Sequence, residues 1–308
     1  MNDKSESKRQ QFAYFILAFS AFCLATNHVI ARGVHTHVPP LGLSFWRWLI
    51  AVFFLLPLVW PDRENAVVAY RRYWREFLVT GFLLVGGTSA ITVALNFTTA
   101  TNMTLINATQ PAFTALFSWI LYRERLRLPQ VLGIVAALTG VLIMAARGDP
   151  SALGSLDING GDMIGVAAVC GVSAYAIRYA RIPHGISTPS ALLPMVLAGS
   201  SLLLPFYIAE SFVYHPVPFN QVSISAILTM AFLASFLAML MWNRGNQIVG
   251  ANLASMFINL IPVFGVLMAV IFLAEAVHSY HIVGMLMIGL GVWLVLGRGT
   301  ARASDKRK

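Results

Sequence analysis

Long apolar stretches, separated by short polar breaks, run along almost the whole sequence. The breaks are rich in Pro, Gly, Asn and Asp, as at Pro39-Pro40 and at Asn159-Gly160-Gly161. Because about 20 consecutive apolar residues can cross a bilayer, stretches of this length predict ten transmembrane helices: 12–32, 40–60, 76–96, 102–122, 129–146, 160–181, 188–208, 222–243, 250–273 and 279–298. A β-barrel would instead show segments of about 10 residues with alternating polarity. The pattern therefore predicts an all-α membrane protein.

Composition supports lipid as the surrounding medium. Of the 308 residues, 58% are hydrophobic and only 11% are charged, whereas globular domains carry roughly 25% charged residues. Ten spans with short loops leave little chain for anything else, which excludes a large soluble catalytic or nucleotide-binding domain. The two cysteines, Cys23 and Cys170, both fall inside apolar stretches and provide neither a disulfide framework nor metal-ligand spacing.

The positions of the basic residues predict the orientation of the helices. The chain has 21 Lys and Arg residues and a net charge of +9. They lie mainly between the apolar stretches, whereas nucleic-acid binding would need a basic face on a folded domain. If the N-terminus is cytoplasmic, eighteen of the 21 fall on the cytoplasmic side, only Arg32 and Arg147 fall on the other side, and Arg47 lies within the second span. This bias predicts that both termini are cytoplasmic.

An internal repeat appears when the sequence is shifted by 151 residues against itself. Pro111 then aligns with Pro262, Glu124 with Glu275, and Gly133 and Gly140 with Gly284 and Gly291. Each half holds five helices, so the second half must enter the membrane from the opposite side, which predicts two inverted repeats. The predicted organisation is a cytoplasmic tail (1–11), the first repeat (12–146), a periplasmic connection (147–159), the second repeat (160–298) and a basic cytoplasmic tail (299–308).

These motifs resemble the drug/metabolite transporter superfamily, and most closely its EamA-type branch. The resemblance rests on Asn-Ala-Thr-Gln-Pro at 107–111 with Leu-Tyr-Arg-Glu at 121–124, and on their counterparts at 259–262 and 272–275, followed by the Gly-rich helix that starts near Gly133. It covers nearly the whole chain, which is also similar to the bacterial aromatic amino-acid exporters of that branch. The resemblance implies a secondary transporter, but members of the superfamily move amino acids, nucleotide sugars, cations and drugs.

Polar side chains recur at helical spacing inside several predicted spans. The third, fourth and ninth helices carry such stripes: Thr88, Thr92 and Asn96; Thr104, Asn107, Gln110, Thr114 and Ser118; and Asn252, Ser255 and Asn259. One interpretation is that they hydrogen-bond helices to each other, at roughly 0.6–2 kcal/mol each. Because polar groups in a membrane must face protein or water, the matching stripes in the two halves favour a central, water-accessible path.

Arg47 is the one strongly charged residue that cannot be assigned to a loop, because it lies about a third of the way into the second predicted span. It either extends to the membrane surface or pairs with the carboxylate of a solute, near Trp46 and Trp48. His28 is either a hydrogen-bonded helix partner or a proton carrier. An aromatic wall with amides suits an amphipathic, near-neutral or zwitterionic solute. The predicted solute-binding residues are Asn27, His28, Arg47, Asn96, Asn107, Gln110, Tyr175, Trp242, Asn252 and Asn259.

Four further residues are candidate gate elements. Pro111 and Pro262 each remove a backbone hydrogen bond in mid-helix, while Glu124 and Glu275 are expected at opposite membrane faces as ion pairs or latches. The sequence holds no phosphate-binding loop or zinc-protease motif. It therefore predicts an inner-membrane transporter and not an enzyme, with a small-molecule solute and the lipid bilayer as partners and with no cofactor or metal. The sequence is compatible with a monomer and leaves the oligomeric state open.

The expected function is export of small amphipathic metabolites, above all amino acids including aromatic ones, by alternating access. Three alternatives stay open. Cationic drug efflux would favour an acidic residue in the cavity, nucleotide-sugar antiport would favour several basic ones, and a membrane-embedded enzyme or assembly factor would need a catalytic cluster.

Overall fold

A computed structural model describes residues 3–98, 100–124, 126–146, 148–149, 159–183, 185–273 and 278–296, and every regular element in this part of the chain is helical. The α-helices are α1 (Asp3–Val34), α2 (Pro40–Val59), α3 (Arg63–Gly81), α4 (Gly87–Phe97), α5 (Ala100–Ala108), α6 (Gln110–Tyr122), α7 (Leu128–Ala145), α8 (Gly160–Ala180), α9 (Thr188–Val213), α10 (Gln221–Met230), α11 (Met239–Val249), α12 (Ala251–Met256), α13 (Leu260–Leu273) and α14 (Ser279–Leu296). Two π-helical turns (Phe82–Gly86, Ala231–Ala238) and two 3-10 turns (Trp60–Asp62, Phe257–Asn259) connect some of them.

Seven helical stretches among the described residues are long and apolar enough to cross a membrane: Ser7–Ala31, Pro40–Phe97, Leu128–Ala145, Gly160–Ala180, Thr188–Val213, Gln221–Val249 and Ala251–Met268. The second stretch, 58 residues long, contains two of the predicted spans. The last predicted span is a shorter apolar helix, Ser279–Val295, and the predicted span 102–122 is divided between α5 and α6. The all-α, multi-pass fold is confirmed, and the count of ten stays a prediction.

Several helix ends differ from the sequence prediction. α1 begins at Asp3, inside the predicted tail 1–11. α3 begins at Arg63, well before the predicted span at 76, and bends at Tyr73, whose backbone leaves the helical region (φ −117°, ψ 24°). The segment before this bend is helical but polar, with exposed Val67 and Val68 among its charged residues. Hydropathy alone cannot find such a helix, because its apolar side chains are too few.

Two helices in the middle of the bundle are interrupted at matching places. α5 ends at Ala108 and α6 restarts at Gln110, while the turn Phe257–Asn259 separates α12 from α13. Pro111 and Pro262 lie in the first turn after each break. Proline is tolerated there because the first N–H groups of a helix have no intrahelical partner. The sequence places both prolines in mid-helix, whereas in the structure each lies in the first turn of a separate helix.

The two ends of the bundle are joined by different polar contacts. At one end, called the basic end, Arg178 pairs with Glu76 (2.7 Å) and Arg181 with Glu124 (2.6 Å). These ion pairs connect α8 to α3 and to the end of α6.

At the opposite end, called the far end, carboxylates accept hydrogen bonds from neighbouring helices. Glu210 of α9 accepts from the backbone N–H groups of Leu41 (3.0 Å) and Gly42 (2.7 Å) in the first turn of α2. Asp162 of α8 accepts from the Thr98 hydroxyl and from the Asn102 amide. Carboxylates suit the exposed N–H groups of a helix N-terminus.

Candidate functional site

A cavity of about 70 Å³ lies in the middle of the bundle. Side chains from α1, α2, α4, α8 and α11, from the interrupted helices and from the two π-helical turns surround it. Seven of the ten predicted solute-binding residues are among those that line it: Asn27, His28, Arg47, Asn107, Gln110, Tyr175 and Trp242. The structure thus brings together residues that are up to 215 positions apart in the sequence.

Arg47 is the charged centre of this cavity. It is 3% exposed and does not extend to the surface. Its Nη1 donates a hydrogen bond to the Ser235 hydroxyl (3.1 Å), and its guanidinium lies 5.1 Å from the centre of the Trp48 ring. Among the described residues, its Nε has no hydrogen-bond partner. A buried cation held by a neutral hydroxyl and a ring keeps a strong attraction for an anion.

His28 and Asn107 form a polar contact that borders this cavity. The Nδ1 of His28 lies 2.8 Å from the carbonyl oxygen of Leu24, which can only accept, so Nδ1 carries the proton of that bond. In the neutral ring, Nε2 is then an acceptor that faces the Asn107 amide nitrogen at 3.5 Å. These contacts therefore fit the interpretation of His28 as a hydrogen-bonded helix partner.

A second cavity, of about 110 Å³, adjoins the first on the side of the far end. His28 and Asn107 line both cavities, and Thr104, Asn259 and Pro262 also line the second. Three polar side chains of the stripe on α5 and α6, those of Gln110, Asn107 and Thr104, therefore lead from the first cavity into the second. A path of this kind is what the stripes in the sequence predict.

Aromatic and amide side chains close the first cavity toward the basic end. The Tyr175 hydroxyl donates to the Asn243 side-chain oxygen at 2.5 Å, and Asn243 is fully buried. Asn246, one turn further along α11, donates to the carbonyl oxygen of Ala176 at 2.8 Å. Met239 and Trp242 line the cavity from the same helix, as their spacing predicts. These contacts join α8 to α11 beneath the cavity.

Sequence reasoning missed Ser235 and Asn243 as parts of this site. Ser235 holds Arg47, and Asn243 holds Tyr175. Asn243 lies next to the charged Arg244 and is the last residue of the predicted span 222–243, so the sequence assigns it to the cytoplasmic margin. The sequence signal that could have identified Asn243 is its position beside Trp242, on the same helix as Asn246.

Two predicted residues lie elsewhere. Asn96 is exposed, donates to the carbonyl oxygen of Thr92 (3.0 Å), and lines a separate crevice of about 480 Å³ at the far end. It shares the stripe with Thr88, which does line the central cavity. Eight residues at 1.5 Å each place it about 12 Å further along the helix. Asn252 is half-buried on α12 and is not among the residues that line either cavity.

The stripe on α4 also makes hydrogen bonds within its own helix. The Thr88 hydroxyl donates to the carbonyl oxygen of Leu84 (2.8 Å), and that of Thr92 donates to the carbonyl oxygen of Thr88 (3.2 Å). The threonine hydroxyls of this stripe are therefore satisfied locally.

Of the predicted gate residues, Glu124 forms the ion pair with Arg181 at the basic end, and Glu275 lies outside the described residues. Arg181 also lies over the Tyr122 ring, at 3.4 Å from its centre. Within the described residues, no group of three or more His, Cys, Asp or Glu side chains could hold a metal ion.

A multi-pass helical bundle with a polar and aromatic cavity at its centre is an architecture expected of a membrane transport protein. Sequence comparison identifies the family. The chain belongs to the EamA-like transporter family, whose sequence profile matches residues 11–146 and again residues 159–297. The resemblance found in the motifs is confirmed.

Curated relatives match along nearly the full chain. A Bacillus subtilis protein named "Uncharacterized transporter YyaM" is 29% identical over 92% of each chain. A Salmonella typhimurium protein named "Probable amino-acid metabolite efflux pump" is 24% identical over 90% of this chain and 93% of its own. A solved crystal structure, 20% identical, covers 98% of this chain and 99% of its own with a TM-score of 0.73, which shows the shared fold.

Proposed function

We propose that this protein is a secondary transporter of the inner membrane that exports small amphipathic metabolites, chiefly amino acids including aromatic ones, by alternating access. The observation that carries this proposal is the central cavity, where one buried cation, several amides and the aromatic rings of Trp48, Tyr175 and Trp242 converge. The relative named an amino-acid metabolite efflux pump supports the same solute class.

An aromatic amino acid matches the chemistry of the cavity group by group. Its ring can pack against Trp242 and Tyr175, a contact worth about 0.5–1.5 kcal/mol beyond burial. Its carboxylate can meet Arg47, and its ammonium can meet the side-chain oxygen of Gln110 or that of Asn259 in the adjoining second cavity. The cavity of about 70 Å³ is well below the roughly 300 Å³ at which ligand pockets begin. Binding therefore requires the helices around it to separate, as in a rocking transport cycle.

Ten helices in two inverted halves, 12–146 and 160–298, are the architecture that we propose for this movement. Three observations support it: the family profile matches each half separately, the helix breaks occur at corresponding positions, and the glycines of α7 and α14 contact each other reciprocally. In this arrangement the basic end faces the cytoplasm, in accord with the distribution of Lys and Arg.

Arg47 argues against the cationic alternative. A site for cationic drugs would place a carboxylate in the cavity, whereas the residues that line it include a buried guanidinium. A cationic solute would be repelled by this charge at close range. Solutes with a carboxylate gain from the same interaction.

The direct test is transport by purified protein in liposomes. We expect liposomes that contain the protein to accumulate labelled phenylalanine, tyrosine or tryptophan faster than protein-free liposomes do. An excess of any one unlabelled aromatic amino acid should compete for the same cavity and slow this uptake. Transport confined to nucleotide sugars or metal ions would exclude the proposed solute class.

A further inference from the structure

Among the described residues, the groups that contact Arg47 do not neutralise its charge. Its hydrogen-bond partner, Ser235, is a neutral hydroxyl, and its second neighbour is the Trp48 ring. The described residues that line the two cavities include no Asp or Glu. A buried ion of this kind is stabilised by water or by a counter-ion that enters the cavity.

Hydrogen-bond donors accompany this charge. The Nε of Arg47, the Nε2 of Gln110 and the Nε1 of Trp48 are all buried, and none has a hydrogen-bond partner in the described part of the chain. All three side chains line the first cavity. A carboxylate has two oxygens that only accept hydrogen bonds, so it complements this set of donors better than a neutral or cationic group does.

The same arrangement gives the loaded and the unloaded carrier different energy barriers in a transport cycle. When the helices close around the cavity, they exclude the water that solvates Arg47 while the site is open. With a carboxylate bound, Arg47 enters the closed state as part of an ion pair. Without one, it enters with its charge uncompensated, which is the costlier desolvation. The unloaded carrier must therefore cross a higher barrier than the loaded carrier.

We propose that this transporter is an exchanger of carboxylate-bearing solutes, in which Arg47 makes return of the unloaded carrier slow, so that a second carboxylate is needed to bring the site back across the membrane. The proposal rests on the proposed transport function, because it concerns how that transport proceeds. It adds how the cycle is coupled: movement of one carboxylate-bearing solute across the membrane is coupled to the opposite movement of a second one.

Counterflow in liposomes tests this coupling. Uptake of labelled phenylalanine is measured into liposomes that hold unlabelled phenylalanine, phenylalaninamide or buffer alone. We expect uptake about 10-fold faster with internal phenylalanine than with buffer, since a barrier difference of about 1.4 kcal/mol gives a tenfold change in rate. Internal phenylalaninamide keeps the ring and the amino group but lacks the carboxylate, so it should not accelerate uptake.

Substitutions at Arg47 then test the residue. Arg47→Gln should reduce the acceleration to about twofold or less, because the site no longer carries a charge when unloaded. Arg47→Lys should retain most of the acceleration, and Arg127→Gln, at an exposed arginine before α7, is the matched control and should behave as the wild type. If Arg47→Gln does not fold, the comparison of the three internal solutions in the wild type still decides.

Three results would overturn the proposal. Equal uptake above protein-free liposomes with all three internal solutions would exclude exchange and leave the transport function intact. Full acceleration in Arg47→Gln would show that the charge does not slow the unloaded carrier. Uptake no faster than in protein-free liposomes, whatever the interior, would overturn both the exchange and the transport function on which it rests.

Discussion

Gly133 of α7 and Gly291 of α14 are in backbone contact: a Cβ atom added to Gly133 would lie 2.6 Å from the carbonyl oxygen of Gly291. Gly140 and Gly284 make the same contact at 2.6 Å. The internal repeat, with its shift of 151 residues, relates Gly133 to Gly284 and Gly140 to Gly291. The repeat symmetry therefore converts the Gly133–Gly291 pair into the Gly284–Gly140 pair. Reciprocal contacts of this kind are expected when related surfaces meet across a two-fold axis.

The first prediction concerns this helix pair. Gly291→Ala should destabilise the protein by about 1–3 kcal/mol, because its Cβ would stand 2.5 Å from the carbonyl oxygen of Gly133. Gly289→Ala on the same helix is the matched control, since a Cβ there meets nothing within 4 Å. Thermal unfolding in detergent compares the two. Equal stability of both variants would contradict the close packing of α7 on α14.

The second prediction assigns Trp242 to the solute site. Trp242→Ala should weaken apparent affinity for phenylalanine by about 10-fold, because the side chain lines the central cavity and is 2% exposed. Trp60→Ala removes the same side chain at a position that is 66% exposed and should leave transport near the wild-type level. Liposome uptake over a range of phenylalanine concentrations measures both variants. Equal effects of the two substitutions would remove Trp242 from the site.

The sequence predicts the helices and most of the cavity, because both follow from the cost of polar groups in lipid. Apolar length identifies a span, and an amide within it identifies the face that points inward. Depth along the helix is harder to judge. Asn96 shares a stripe with Thr88 but lies two turns beyond it, at a different opening, and periodicity alone does not distinguish the two.

Contacts between distant helices escape this reasoning for a related reason. Arg47 and Ser235 are 188 positions apart, and nothing in the local pattern around Ser235 marks it as the partner of a charge. The break at Thr109 was equally hidden, since Pro111 fits both a bent helix and the first turn of a new one. The Arg47–Ser235 contact and the helix break depend on how the two halves of the chain pack together. The sequence pattern of a single helix does not determine this packing.

The third prediction tests which residues face the transport path. In a background without Cys23 and Cys170, Asn107→Cys and Gln110→Cys should react with a small water-soluble thiol reagent, and phenylalanine should protect both. Asn96→Cys should also react, because Asn96 is exposed at the far end, but phenylalanine should not protect it. Labelling followed by mass measurement gives the extents. Protection of all three positions, or of none, would contradict the assignment of the central cavity.

The fourth prediction concerns orientation, and it rests on the positions of Lys and Arg. Topology reporters fused after Arg63 and after Lys308 should be active as cytoplasmic fusions, and one fused after Asp149 should be active as a periplasmic fusion. An even number of spans is required for both termini to lie on one side. A reporter after Lys308 that reads periplasmic would rule out ten helices.

The fifth prediction is that the two ion pairs at the basic end form part of the gate. Arg178 lies on α8 and Arg181 directly follows it, whereas Glu76 and Glu124 belong to the first half of the chain, so both pairs must break if the halves separate there. Each exposed pair is worth only about 0–1 kcal/mol, which suits a contact that opens in every cycle. Glu124→Arg should therefore favour opening at this end while lowering stability only slightly.

A cysteine in place of the buried Asn246, on the basic side of the cavity, reports this opening. Its reaction rate with a thiol reagent should rise several-fold in Glu124→Arg, because like charges at 124 and 181 repel each other. The swap that combines Glu124→Arg with Arg181→Glu should restore the slow rate, and Glu64→Arg, at an exposed position on α3, should leave it unchanged. An unchanged rate in Glu124→Arg would show that the Glu124–Arg181 pair does not hold the basic end closed.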